Sequence, residues 1–415
     1  MQDEISKLSQ GKLIEYIRTR ILETVDLSRD ISDDEILRLI RQEIMDISFK
    51  RPISLEERLV LQRDVFNSLR KLDVLQDLLD DEEITEIMIN GASNIFIEKK
   101  GRLIRSDRSF SSEEKLYDVI QQIVASSNRI VNEMSPIVDC RLPDGSRVNV
   151  VLPPASVEGC ILSIRRFPKN PMRMEDLINI GSLSPDMARF LWMAVVSGFN
   201  IFVSGGTGSG KTTFLNALTE FVPEDERVIT IEDSAELVPI GIPNLVRLEA
   251  RDANLEGKLR ISIRDLVKTS LRMRPDRIIV GECRGEEALE MLQAANTGHD
   301  GSLSTGHANS CRDMIARLET MVLMGMELPI EAIRSQIASG IDIFIHLGRL
   351  KDRSRKVLEI AEVVGVNQGE VELSTLFEFV QTGDKDGRVE GEWKKRNELK
   401  NRQKLVMAQL DDIAS

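Results

Sequence analysis

The chain has 415 residues, 41% of them apolar, with 55 Lys plus Arg against 68 Asp plus Glu and a net charge of −13. That length accommodates two or three domains, and the acidic balance disfavours stable nucleic-acid binding unless a local basic groove overrides the sum. The four cysteines, Cys140, Cys160, Cys283 and Cys311, form no C-x-x-C pair, so reduced buried thiols are expected rather than a zinc site or a disulfide framework.

Met1 to Lys12 is polar and of mixed charge, unlike a targeting segment. From Ile5 to Val25 the apolar residues Ile5, Leu8, Ile14, Ile17, Ile21 and Val25 recur at helical spacing. A second helix follows Ser32, which forms a capping box with Glu35, and its face is Ile36, Leu39, Ile40, Ile44 and Ile47. A third follows Ser54 with Glu57, and its apolar members are Leu55, Leu59, Val65, Phe66 and Leu69. Residues 1–73 therefore read as an N-terminal helical bundle. The faces keep no strict seven-residue repeat, which argues against a coiled-coil arm.

Residues 74–167 change character. Short β-rich runs at Glu86 to Ile89, Asn94 to Glu98, Arg147 to Leu152 and Cys160 to Arg166, with a helix at Glu113 to Ser126, predict an α+β domain. Asp144-Gly145 reads as a hairpin turn with Arg141 and Arg147 on either side, and Arg165 and Arg166 end the next strand. Spacing alone reads these arginines as solvated surface. Residues 168–182, with Pro168, Pro171 and Gly181, are a linker candidate. Ser184 then caps, and Pro185 opens, a helix running to Ser197. The longest apolar stretch, Ala188 to Val203, is interrupted by Arg189, Ser197, Gly198 and Asn200. It falls short of the roughly 20 apolar residues of a spanning helix, so membrane contact is expected to be peripheral only.

From Asn200 a strand, loop, helix, strand order repeats and predicts a largely parallel sheet with crossover helices over residues 183–390. Short strands are expected at Phe344 to Leu347, Val357 to Gly365 and Glu370 to Leu373, and residues 391–415 read as a charged helical tail. The fold class is thus α/β, with a P-loop domain preceded by an α+β domain and a helical bundle.

At the centre of that sheet Gly205-Gly206-Thr207-Gly208-Ser209-Gly210-Lys211-Thr212-Thr213 satisfies G-x4-G-K-S/T between a strand and a helix. A loop almost without side chains lets backbone N–H groups close on a phosphate. Lys211 is placed for the β- and γ-phosphates, and Thr212 for Mg2+. Two further strands deliver carboxylates where an α/β sheet holds its ligands: Arg227 to Ile231 ends in Glu232-Asp233, and Arg277 to Val280 ends in Gly281-Glu282. Hydrolysis needs a base for an in-line water and an oxygen shell for Mg2+. Gly281 stands where an aspartate usually precedes the catalytic glutamate, so Glu232 or Asp233 is expected to serve the metal through water and Glu282 to be the base. Thr297 to Asn309 carries two of the three histidines, His299 and His307. Either one is a candidate to contact the γ-phosphate or orient Glu282. The third, His346, reads as structural.

Taken together, the P-loop, Val228 to Asp233, Gly281-Glu282, Thr297 to His307, Arg141 to Asn149 and Ser163 to Phe167 resemble the type II/type IV secretion ATPase superfamily over residues 74–370. The resemblance is greatest to the tight-adherence (Flp) pilus branch often called CpaF. It implies a RecA-like domain that binds ATP with Mg2+, a homohexameric ring, and a cytoplasmic site of action at the inner face of the membrane beside a polytopic platform protein. It also implies catalytic roles for Glu282 and Glu232, a sensor role for His307 ahead of His299, and Arg141, Arg147 and Arg165 as candidate charge-stabilising contacts. The absent aspartate is the rule in that family. A conjugative or effector-secretion motor, and a ring scaffold that binds ATP with little hydrolysis, share the same core motifs.

Overall fold

Two units make up the chain, Met1–Lys169 and Asn170–Ser415, and the computed structural model describes residues 9–25, 31–99, 101–167, 171–251 and 260–411. Among its described residues the first unit starts with the helices α1 (Gln10–Thr24), α2 (Asp33–Ser48) and α3 (Leu55–Arg70). Ser32 Oγ accepts from Glu35 N at 3.3 Å and Ser54 Oγ from Glu57 N at 3.1 Å, which fixes where α2 and α3 start. Leu13, Ile17 and Ile21 of α1 pack with Ile36, Ile40, Ile44 and Ile47 of α2 and with Leu61 and Val65 of α3. Each such burial contributes about 1.5–3 kcal/mol over exposure. The expected face of α3 is corrected here: Leu55 is 75% and Leu59 62% exposed, while Leu61 is buried. Leu59 sits about 200° around the helix from Leu61, so the two cannot share a face. Ile5 and Leu8 lie outside the described residues.

A short helix, α4 (Val74–Asp80), leads into an antiparallel six-stranded sheet of order β3-β2-β1-β6-β5-β4. Its strands are β1 (Ile84–Asn90), β2 (Ile95–Lys99), β3 (Arg102–Arg105), β4 (Ile137–Arg141), β5 (Arg147–Val151) and β6 (Ile161–Arg165). Helix α5 (Glu113–Ser126) packs Leu116, Val119, Ile120 and Ile123 into the same core as Ile87, Ile89, Val148, Val150, Leu162 and Ile164. β3 and β4 escape the sequence reading because β3 is exposed at all four positions and β4, Ile-Val-Asp-Cys-Arg, has an exposed Ile137 that breaks the apolar–polar alternation.

In the second unit, nine strands are ordered β15-β14-β13-β12-β7-β11-β10-β8-β9. The parallel part comprises β7 (Ile201–Gly205), β8 (Arg227–Glu232), β9 (Asn244–Glu249), β10 (Arg277–Val280), β11 (Leu303–Gly306) and β12 (Ile343–Arg349). Helices cover both faces, and the strand residues alternate between two cores. Ile201, Val203, Ile343 and Ile345 join α7 (Pro185–Val196) and α8 (Lys211–Thr219) on one side. Phe202, Ile229, Ile231, Ile278, Val280 and Phe344 join α9 (Ile263–Ser270), α10 (Glu287–Ala295), α11 (Cys311–Gly325) and α12 (Ile330–Gly340) on the other. Strands buried on both faces are what a covered parallel sheet requires.

Two expectations differ from what is observed. The linker candidate contains a helix, α6 (Met174–Asn179), whose Met174 and Leu177 are buried in the second unit's core, and Pro168 lies outside the described residues. The charged tail is not helical from residue 391. It begins inside β15 (Arg388–Lys395), the last strand of an antiparallel extension with β13 (Arg355–Asn367) and β14 (Glu370–Lys385), and the one helix described beyond it is Gln403–Met407. Gln368-Gly369 and Asp386-Gly387 turn both hairpins with positive φ at each residue (50° and 80°, 49° and 74°), the geometry that two-residue hairpins demand. After β15 the chain docks: Leu405 is buried and Lys404 Nζ bonds Asp342 Oδ2 at 2.8 Å. Residues 412–415 lie outside the described residues.

Candidate active site

β7 ends at Gly205 and α8 begins at Lys211, so the P-loop occupies the C-terminal edge of the sheet between β11 and β12. Gly208 and Gly210 adopt φ of 71° and 94°, which L side chains rarely reach. A Cβ on Gly205 would lie 2.5 Å from Ser209 Oγ and 2.6 Å from Leu347 O. Gly205 is therefore packed too closely for any side chain, and Gly208 and Gly210 hold a backbone conformation that favours glycine. Gly206, Thr207 and Gly208 are exposed, Thr212 and Thr213 half-buried. Ser209 Oγ is buried and has no partner among the described residues. Lys211 is buried, and its Nζ donates to Gly205 O and Gly206 O, both at 3.1 Å. Burial pushes its pKa below the usual lysine value, and Glu282 opposes that shift. A buried ammonium resting on carbonyls, in a loop rich in glycine, fits a polyphosphate.

Glu232 ends β8 as a buried carboxylate. Its Oε1 accepts from Glu236 N at 2.9 Å and Leu237 N at 2.8 Å, and its Oε2 has no partner among the described residues. Burial raises its pKa from 4.5 to about 7 against the lowering effect of those two N–H groups. Gly281 N bonds Ile231 O at 2.9 Å, which sets Gly281 beside Glu232, and a Cβ on Gly281 would come within 2.7 Å of Glu232 Cγ. The missing aspartate thus has a steric reason: the Glu232 side chain occupies the space that a side chain at 281 would need. The half-buried Thr212 hydroxyl and the orphaned Glu232 Oε2 fit an Mg2+ that completes its shell with water and phosphate oxygens. Asp233 is exposed, with its Oδ2 3.9 Å from Arg284 Nη1.

Glu282 follows Gly281 and meets two groups. Arg284 Nη2 lies 2.6 Å from its Oε2, and His307 Nε2 lies 2.8 Å from its Oε1, in contact without a formed hydrogen bond. His307 Nδ1 is 3.4 Å from Lys211 Nζ. An ammonium can only donate, so Nδ1 accepts and the ring proton belongs on Nε2, the nitrogen nearer Glu282. Burial, then Lys211, lowers the pKa of His307, while Glu282 raises it. Lys211, His307, Glu282 and Arg284 form a continuous line of contacts from the phosphate loop to the carboxylate. Such a line can orient a base and register the charge of a bound phosphate.

His299 is not part of it. It precedes β11, at the opposite end of the strand from His307, with its Nδ1 3.1 Å from Ala294 O. His346 is buried on β12 with Nδ1 3.0 Å from Ser204 Oγ, a structural position beside the P-loop strand. Among the described residues no group of three or more His, Cys, Asp or Glu is placed to hold a metal. In the first unit, Arg141, Arg147 and Arg165 are register partners across β4, β5 and β6, one row of three cations at a strand end. Arg147 Nη2 is 3.8 Å from Asp139 Oδ1, and Arg165 Nε 4.0 Å from Glu86 Oε1. Sequence reasoning missed Arg284; a cation two residues after Glu282 was the available signal. No helix among the described residues is long and apolar enough to cross a membrane.

Residues 68–389 match the family described as Type II/IV secretion system protein. The chain is 34% identical over 310 residues to a putative conjugal transfer protein of Mycobacterium tuberculosis, covering 73% of this chain and 87% of that protein. It is 32% identical over 333 residues to the type IV secretion system protein VirB11 of Bartonella henselae, covering 70% and 92%. Among solved structures, the pilus retraction motor PilT with bound ADP superposes with a TM-score of 0.52 at 19% identity over 83% of this chain and 88% of that one, a likeness of fold alone. The second unit is accordingly a RecA-like P-loop domain, and the chain belongs to the type II/IV secretion system ATPase family.

Proposed function

We propose that this chain is a mechanochemical Mg-ATPase that drives assembly, or assembly and retraction, of a tight-adherence or type IV-like pilus. The observation that carries the ATPase part of the reading is the line Lys211, His307, Glu282, Arg284, which links the phosphate loop to a carboxylate suited to base catalysis. In this reading Gly205 to Thr213 cradle ATP, and Thr212, Glu232 and Asp233 serve Mg2+ directly or through water. Glu282 deprotonates the attacking water, and His307 holds Glu282 and registers the γ-phosphate. His299 keeps no catalytic role. Mg2+ supplies charge neutralisation of the phosphates when bound. The row Arg141, Arg147, Arg165 is assigned to charge stabilisation at a site completed by another domain of a homohexameric ring, and domain closure transmits the work to an inner-membrane platform protein at the cytoplasmic face.

A second reading, a conjugative or effector-secretion motor, is supported by the relatives named for conjugal transfer and type IV secretion. Deleting the gene in its host separates the two: loss of surface filaments is the expected result, whereas intact filaments with lost DNA or effector transfer would favour the second. Size measurement with a non-hydrolysable ATP analogue should show a hexamer; a stable monomer at cellular concentration would count against a ring motor of either kind.

A further inference from the structure

Beside the P-loop, on the side away from Glu282 and His307, β12 and β13 turn over through Leu350 to Ser354. The tip is rigidly built. Leu350 N bonds Ser354 O at 2.8 Å, Arg353 takes φ of 67°, and Asp352 accepts from Ser354 Oγ at 2.6 Å and Val389 N at 2.9 Å. The hairpin presents Arg349, Lys351, Arg353 and Arg355, and its only acid is committed to those internal bonds.

Arg349 and Arg355 are direct register partners across the two strands. Like charges placed opposite one another cost stability, and neither arginine has a carboxylate within ion-pair distance among the described residues. Both are turned to the P-loop. Arg355 Nε donates to Gly208 O at 2.9 Å, its Cδ lies 3.4 Å from where a Cβ of Gly210 would be, and Arg349 Nη1 lies 3.6 Å from that of Gly208. An uncompensated guanidinium pair pressed on a phosphate loop, in a chain of net charge −13, is built for a ligand.

The groups suited to the γ-phosphate follow β8, β10 and β11, on the other side of β7. What remains for the β12 side is the sugar and base. We infer that the Arg349–Arg355 pair is the subsite for the base and ribose end of the nucleotide, where planar guanidinium groups suit a purine face. The assignment rests on the P-loop reading above.

Calorimetric titration of the full chain with Mg-ATP and, separately, with magnesium tripolyphosphate tests it. Arg349→Ala is expected to weaken ATP about tenfold while tripolyphosphate stays within about twofold, because only the former carries a base. Arg349→Lys keeps the charge and loses the planar face, so it should remain as weak for ATP as Arg349→Ala. Unchanged ATP affinity in Arg349→Ala, a parallel loss of tripolyphosphate, or full rescue by lysine would each overturn the subsite. Retained tripolyphosphate binding also serves as the folding control. Wild-type protein that binds neither probe would sink the P-loop reading itself, and the subsite with it.

Discussion

Adding one methyl group at Gly281 tests the packing that replaces the absent aspartate. The new Cβ would sit 2.7 Å from Glu232 Cγ, 3.4 Å from Cδ and 3.2 Å from Oε1. Glu232 cannot swing away without cost, since Oε1 is held by Glu236 N and Leu237 N. Gly281 has no positive φ, so backbone strain adds nothing. Overpacking costs about 1–3 kcal/mol, and releasing one hydrogen bond to a carboxylate about 1.5–3 kcal/mol. A loss of about 3 kcal/mol for Gly281→Ala is therefore expected, which in a domain of this size is a fall in Tm of roughly 6–12 °C. The decisive comparison is a double-mutant cycle followed by urea unfolding. In a Glu232→Ala background the space is open, and the same Gly281→Ala change should cost under about 1 kcal/mol. Equal cost in both backgrounds would refute the steric account and leave Gly281 without a reason tied to Glu232.

The elevated pKa of Glu232 makes nucleotide-free stability fall with pH. Between 4.5 and about 7 the folded state keeps a proton the unfolded chain has released. It therefore binds more protons, and stability drops as pH rises through that window, by about 3 kcal/mol in all, then levels off. Urea midpoints across pH should show this slope, and Glu232→Gln should lack it; an unchanged slope in that variant would assign it to another group. His307→Gln is expected to lower kcat about tenfold or more with little change in ATP affinity, whereas His299→Gln, placed at the far end of β11, should leave kcat at the wild-type value. Steady-state kinetics on the pair reads both, and equal losses in the two variants would contradict their different positions.

Legibility followed how local each constraint is. The P-loop is legible because a phosphate cradle imposes glycine at positions fixed along the chain, and α5 and α7 because Ser112 and Ser184 cap their starts through bonds to Lys115 N and Met187 N. β15 was missed although Asp386-Gly387 announced its hairpin, because its alternating residues are mostly charged and Trp393 is its one large apolar side chain. The relation of Gly281 to Glu232 depends on the register of β10 against β8, which no single stretch encodes. Arg284 meets Glu282 two residues away in the chain, but its approach to Asp233 depends on β8 and β10 being neighbours. His299 and His307 look equivalent in sequence because both lie beside glycines around one strand; only the direction of β11 separates them.

Turnover by Glu282→Gln is the most direct measurement. The exchange removes the carboxylate proposed as the base and keeps the shape of a side chain touched by both His307 and Arg284. The expected result is a loss of ATP hydrolysis of about 100-fold or more, with ATP binding and ring formation retained. Hydrolysis at the wild-type rate in that variant would contradict the role given to Glu282 and the line of contacts built around it.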